Sequence, residues 1–179
     1  SNGASMANRR GCAYPDVFAA VAPVSGGHVG WYECEAQLPV SVIAFHGLDD
    51  GIIPYEGNQN NPKVHDWVEA WAARNGCAPS PDVKTPGKNV TQETWGGCRG
   101  DTLVTLYSTE AGHSWPGSDF RIDLGGPTQA IDATEVIWEF FAAHPQTDVT
   151  LGDNSAEEPP APTQASVTDS AYPTAGEYF

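Results

Sequence analysis

Apolar residues fall along this chain in short blocks, separated by stretches of helical spacing. Residues 17–24 read Val-Phe-Ala-Ala-Val-Ala-Pro-Val and stop at Ser25, Gly26 and Gly27. Residues 40–45 (Val-Ser-Val-Ile-Ala-Phe) stop at His46 and Gly47, and residues 102–107 form a third block. Such runs, rich in β-branched residues and bounded by Gly or Pro, read as buried strands. Between the second and third, residues 63–75 place Val64, Trp67, Val68 and Trp71 on one helical face, and Asn75-Gly76 ends the pattern. Residues 130–143 align Ile131, Thr134, Ile137, Trp138 and Phe141 on a second face. Asp132 and Glu135 lie near the start of that helix, where its dipole favours acids, and His144-Pro145 closes it. Residues 2–12 read as a further helix. Strand–helix alternation of this kind predicts an α/β fold with about three mostly parallel strands and flanking helices. Three strands are too few for such a sheet to stand alone with both faces covered.

The pattern changes near residue 147. Residues 148–179 hold six acids and no Lys or Arg, and residues 157–163 (Glu-Glu-Pro-Pro-Ala-Pro-Thr) have the composition of a linker. The expected organisation is a partial α/β domain over 1–147 and an acidic, Pro-rich tail over 148–179. Tyr172, Tyr178 and Phe179 are expected to hold that tail against a surface.

Charge narrows the function classes. The 179 residues carry 23 acids against 8 bases, a formal charge of −15. Phosphate contacts need clustered Lys and Arg, so no nucleic-acid partner is expected. No apolar run approaches the roughly 18 residues of a membrane span. Cys12, Cys34, Cys77 and Cys98 include no C-x-x-C pair, which argues against a zinc knuckle or a redox pair. Four cysteines allow three pairings. Cys12–Cys34 and Cys77–Cys98 are favoured because each brackets a loop-rich stretch, and each bridge would contribute about 3 kcal/mol. Asn89-Val90-Thr91 is an N-glycosylation sequon. Acidity, disulfides and a sequon together point to a secreted protein.

The candidate chemistry sits where strands end. The second strand runs into His46-Gly47-Leu48-Asp49-Asp50, and the third is followed by Gly112-His113-Ser114-Trp115-Pro116. Ser1-Asn2-Gly3, just before a helix, supplies the last three positions of a G-x-S-x-G nucleophile elbow. The first residues lack an initiator Met or an apolar leader, as in a processed chain or a piece of a longer one. Ser, then Asp, then His is the chain order of α/β-hydrolases. No spacing points to a metal or a cofactor. His46 is expected to hydrogen-bond within its turn, His65 lies on a helix, and His144 is near a helix end.

Ser1 to Met6, the stretch 15–26, His46-Gly47-Leu48-Asp49-Asp50 with Pro54-Tyr55, Gly112 to Gly117 and the helix from Asp132 together resemble the secreted polyhydroxybutyrate depolymerase and feruloyl (acetylxylan) esterase family. The resemblance runs from residue 1 to about 145. It implies the C-terminal half of an α/β-hydrolase sheet, the rest supplied by a missing N-terminal half or a partner chain. It further implies a serine esterase acting on polyesters or polysaccharide-linked esters. Ser1 would be the nucleophile, His113 its base, and Asp50, favoured over Asp49, the orienting acid. The Asn2 N–H would stand in the oxyanion hole, and Trp115 and His28 would line the substrate pocket. The alternative is a non-catalytic, hydrolase-derived subunit of a larger extracellular assembly.

Overall fold

The computed structural model describes residues 1–28, 34, 36–119 and 126–146. The expected tail, with its linker and terminal aromatics, lies outside the described residues. Among them are five strands, β1 (Ala20–Val21), β2 (Ser41–Gly47), β3 (Asp82–Gly87), β4 (Val90–Trp95) and β5 (Val104–Thr109), and three α-helices, α1 (Asn2–Ala13), α2 (Val64–Asn75) and α3 (Ala133–Ala143). They form one sheet in the order β1-β2-β5-β4-β3.

β1, β2 and β5 run parallel, with Ala20 opposite Ser41 and Gly47 opposite Thr109 at the ends of the two ladders. β3 and β4 add an antiparallel hairpin on the far side of β5. The sheet is therefore mixed and has five strands, which corrects the expectation of about three mostly parallel ones. β3 and β4 escaped the apolar pattern for a physical reason. β3 is an edge strand exposed along nearly its whole length and contains Pro86, and β4 buries only Val90 and Trp95. Backbone pairing holds these strands, and their side chains carry little hydrophobic signal.

Alternation along β2 sorts the core into two layers. Val42 and Ala44 face α1 and α2, where Trp67, Val68, Trp71 and Leu106 complete the cluster. Ile43 and Phe45 face α3 with Tyr107, Ala133, Ile137 and Phe140. α2 buries the face its spacing predicted. Its last turn is tied to the start of β2 by Asn75, whose amide donates to the Val40 carbonyl at 2.7 Å and accepts from the Val40 N–H at 3.4 Å. The Trp71 indole N–H donates to Asn8 Oδ1 at 2.8 Å and joins α2 to α1.

α3 is rotated from expectation. Ala133, Ile137 and Phe140 turn inward, while Trp138 is 73% exposed. The inward face packs on Ile43, Phe45 and Tyr107. The Trp115 indole N–H donates to Thr134 Oγ1 at 3.1 Å on the outer side, and Trp138, one turn on, follows Thr134 out of the core. Asp132 caps the helix, accepting from the N–H groups of Thr134 and Glu135. Both favoured disulfides are formed, Cys12–Cys34 at the end of α1 and Cys77–Cys98 across the base of the β3–β4 hairpin. Among the described residues no helix is long and apolar enough to cross a membrane.

Candidate active site

The carboxyl ends of β2 and β5 lie side by side, and the two following loops are stitched together. The Leu48 N–H donates to the Thr109 carbonyl at 2.8 Å, and the Asp49 N–H donates to the Ala111 carbonyl at 3.1 Å. Gly47 makes this approach possible, since a Cβ there would sit 2.1 Å from the Ala111 oxygen. The stitching sets Asp50 against His113.

Asp50 is buried, and its carboxylate is held from several directions. Oδ1 accepts from the N–H groups of Ile52 at 2.9 Å and Ile53 at 2.8 Å. Oδ2 accepts from His113 Nδ1 at 2.8 Å. Burial alone would raise the Asp50 pKa. The hydrogen bonds from His46, the Ile53 N–H, His113 and the Ile52 N–H outweigh burial and hold the carboxyl well below the usual carboxylate range. A carboxylate at Nδ1 fixes the tautomer of His113: the proton is on Nδ1, and the Nε2 lone pair is free to accept.

That lone pair faces Ser1, whose Oγ is hydrogen-bonded to His113 Nε2. Ser1 occupies the N-cap position of α1, yet its side chain makes no cap bond to the helix. Gly26 underlies it with φ of +141°, and a Cβ on Gly26 would come 3.1 Å from the Ser1 Cα. Ser25, itself at φ of +52°, donates from Oγ to the Ser114 carbonyl at 3.0 Å and ties the histidine loop to the segment after β1. Three chain segments, around residues 1, 50 and 113, thus converge in one hydrogen-bonded row. The arrangement can take a proton from the Ser1 hydroxyl and hold it on an imidazole backed by a carboxylate.

Asn2 opens α1, so its N–H is among those with no acceptor within the helix, and it points from the end where the dipole is positive. Trp115 is half-exposed and lines an open hollow of about 200 Å3 with Ser1, Val24, Ser25, His113 and Ser114. His28 does not line that hollow. It is 1% exposed and lies beneath the site against His46 and Trp67, with ring centroids 5.2 and 6.1 Å away. Neither of its ring nitrogens has a hydrogen-bond partner among the described residues. Asp49 is exposed and takes no part in the row. Asn89 is exposed in the turn between β3 and β4. His65, Asp66 and Glu69 gather near the start of α2 and are exposed or half-exposed.

Sequence reasoning treated His46 as a turn residue. It does bond the turn, with Nε2 2.8 Å from the Ile53 carbonyl, and it also reaches Asp50. The signal for that second role was its position, four residues before the acid at the end of a buried strand.

No protein-family model matches the chain. It is similar to feruloyl esterase B of Piromyces equi, 31% identical over 130 residues, which cover 63% of this chain and 23% of that protein. It is also similar to the probable feruloyl esterases C of Aspergillus niger (27% identical over 147 residues) and Aspergillus flavus (29% over 145), each match covering 79% of this chain and 47% of the relative. The chain thus spans 23% to 47% of the length of these curated relatives.

Proposed function

We propose that this chain carries the catalytic residues of a serine esterase. One observation supports this most: Ser1 Oγ, His113 and Asp50 form a continuous hydrogen-bonded row with the histidine in the base-competent tautomer. The similarity to proteins named feruloyl esterase points the same way. In this reading Ser1 Oγ attacks the ester carbonyl carbon while His113 Nε2 takes the hydroxyl proton. Asp50 stabilises the imidazolium so formed. The oxyanion of the tetrahedral intermediate accepts from the Asn2 N–H. Collapse of that intermediate expels the alcohol, which leaves with the proton from Nε2, and water then releases the acid from Ser1 by the same route.

The relatives' names favour a feruloyl ester over a polyester, and a polysaccharide-linked one is the substrate we propose, with Trp115 flanking the aryl group. No cofactor or metal has a part in this chemistry. The two disulfides favour an extracellular setting, and Asn89, exposed on its turn, is the proposed glycan acceptor. The reading also has β1 extended by a further strand, from a segment preceding Ser1 or from a partner chain. β1 pairs only with β2 among the described residues. Beside it lies an apolar hollow of about 390 Å3 lined by Arg10, Phe18, Val21, Trp115, Ile137 and Phe141.

The test is hydrolysis of methyl ferulate and p-nitrophenyl acetate by the wild type, Ser1→Ala and His113→Ala. Each variant should lose on the order of a thousandfold or more in kcat. A fluorophosphonate should label Ser1 in the wild type alone. Unchanged hydrolysis in both variants would sink the reading. The second reading, a non-catalytic subunit, is favoured by the open β1 edge, and an inert wild type with its partner strands supplied would establish it.

A further inference from the structure

One oxygen of Asp50 carries two imidazoles. His113 Nδ1 stands 2.8 Å from Oδ2, and His46 Nε2 stands 3.3 Å from the same atom. His46 Nε2 is also 2.8 Å from the Ile53 carbonyl oxygen. A carbonyl and a carboxylate can only accept, so His46 Nε2 carries its proton, donates to the Ile53 carbonyl and turns its positive edge to Asp50 Oδ2. With the Ile52 and Ile53 N–H groups on Oδ1 and His113 on Oδ2, the carboxylate accepts three hydrogen bonds, and His46 Nε2 is a further polar contact at 3.3 Å.

The position of His46 is informative. Alternation along β2 points Val42, Ala44 and residue 46 toward the same apolar layer, and His46 is 2% exposed. An apolar side chain would fit that layer without a desolvation cost. The polar ring there is explained by what it donates to.

We infer that His46 is a positioning residue: its N–H pins the Asp50 carboxylate toward His113 and draws charge from the oxygen that His113 shares. The inference rests on the roles proposed above for Asp50 and His113. An oxygen shared by two donors stabilises the His113 imidazolium less than an unshared one.

The other groups facing this cluster do not compete for that role. His28, from the loop after β1, packs on His46 and is pushed down to about 4 by burial and by His46, against the pull of Asp50. Tyr55 meets the His46 ring edge-on at 5.9 Å, and its hydroxyl is hydrogen-bonded to Ser108. Burial raises the Tyr55 pKa, and it stays neutral. The nitrogen of Ser1 also faces Asp50 but is bonded to the Val24 carbonyl at 3.3 Å.

The test compares the wild type with His46→Leu, His46→Asn and His46→Gln. Gln places an N–H where Nε2 stands, whereas Asn is polar but too short to reach Oδ2. The readouts are the pH profile of kcat/KM on p-nitrophenyl acetate and the NMR titration of the His113 ring. Leu and Asn should lower kcat/KM about tenfold and displace the acid limb and the His113 ring signals from those of the wild type. Gln should restore both toward the wild type. Folded Leu or Asn variants with an unmoved limb and titration overturn the inference, as does a Gln variant that matches Asn. If Leu does not fold, Asn against Gln makes the same comparison. If the wild type, with its partner strands supplied, hydrolyses no ester, the esterase reading fails, and the His113 ring signals alone decide the role of His46.

Discussion

A serine at the first position of a helix ordinarily accepts a hydrogen bond from the helix's own amides. Ser1 does not, because its oxygen is turned to His113. The helix forgoes about 1 kcal/mol of capping, and the serine oxygen stays available to react. Ser1→Asn should therefore raise the urea midpoint slightly while abolishing ester hydrolysis. Gly26 is constrained from the other side. Gly26→Ala would force a side chain into φ of +141° and onto Ser1, so activity should fall about a hundredfold. Acid should weaken the fold through two groups in different windows. The His28 pKa lies at about 4 in the fold against an ordinary 6.5, so the unfolded chain binds the proton first and stability falls as pH drops between those values. Over that window the loss is on the order of 3 kcal/mol. The Asp50 pKa is depressed, so its contribution is present above the ordinary carboxylate range and is lost below about pH 4. Urea unfolding at pH 4.5 and 7 should show a smaller pH dependence for His28→Leu than for the wild type. The meeting of Ser1, Asp50 and His113 was expected from the family resemblance, carried by motifs that follow strand ends or open a helix. The burial of His28 was not legible. It depends on Gly27, where a Cβ would sit 2.4 Å from the Trp67 ring, so that indole and imidazole close over the backbone.

At the scale of elements, the helices and the parallel strands announced themselves through apolar spacing, and the β3–β4 hairpin did not. Edge strands with polar faces draw their stability from partners remote in sequence, here Thr94 opposite Thr105 and Trp95 opposite Val104 on β5. The rotation of α3 was hidden for a related reason. Thr134 and Trp138 fit the helical face as well as Ala133 and Phe140 do, and packing against Ile43, Phe45 and Tyr107, remote in sequence, selects the latter. The Cys77–Cys98 bridge joins the end of α2 to the chain just after β4, closing a loop of 21 residues around the hairpin. Its removal by Cys77→Ala with Cys98→Ala should cost roughly 3 kcal/mol, read as a lower urea midpoint. The hairpin lies on the far side of β5 from Ser1, so the folded variant should keep its activity at low denaturant.

For the molecule as a whole, against a formal charge of −15, the described residues expose an apolar hollow beside β1. The chain should bind an apolar dye such as anilinonaphthalene sulfonate there, and Phe141→Glu should abolish the fluorescence gain. A strand supplied at β1 should also displace the dye. The hydrogen-bonded row of Ser1, His113 and Asp50, catalytic in the proposed reading, has its own consequence at this scale. Ser1 and His113 are 112 residues apart in sequence, and Asp50 and His113 are 63 apart. No local hairpin or helix pair brings them together, so the site exists only after β2 and β5 have paired and α1 has docked. Turnover is then an endpoint signal for folding. In a refolding experiment esterase activity should return with the slowest phase of tryptophan fluorescence, and no partly assembled form should hydrolyse ester ahead of it.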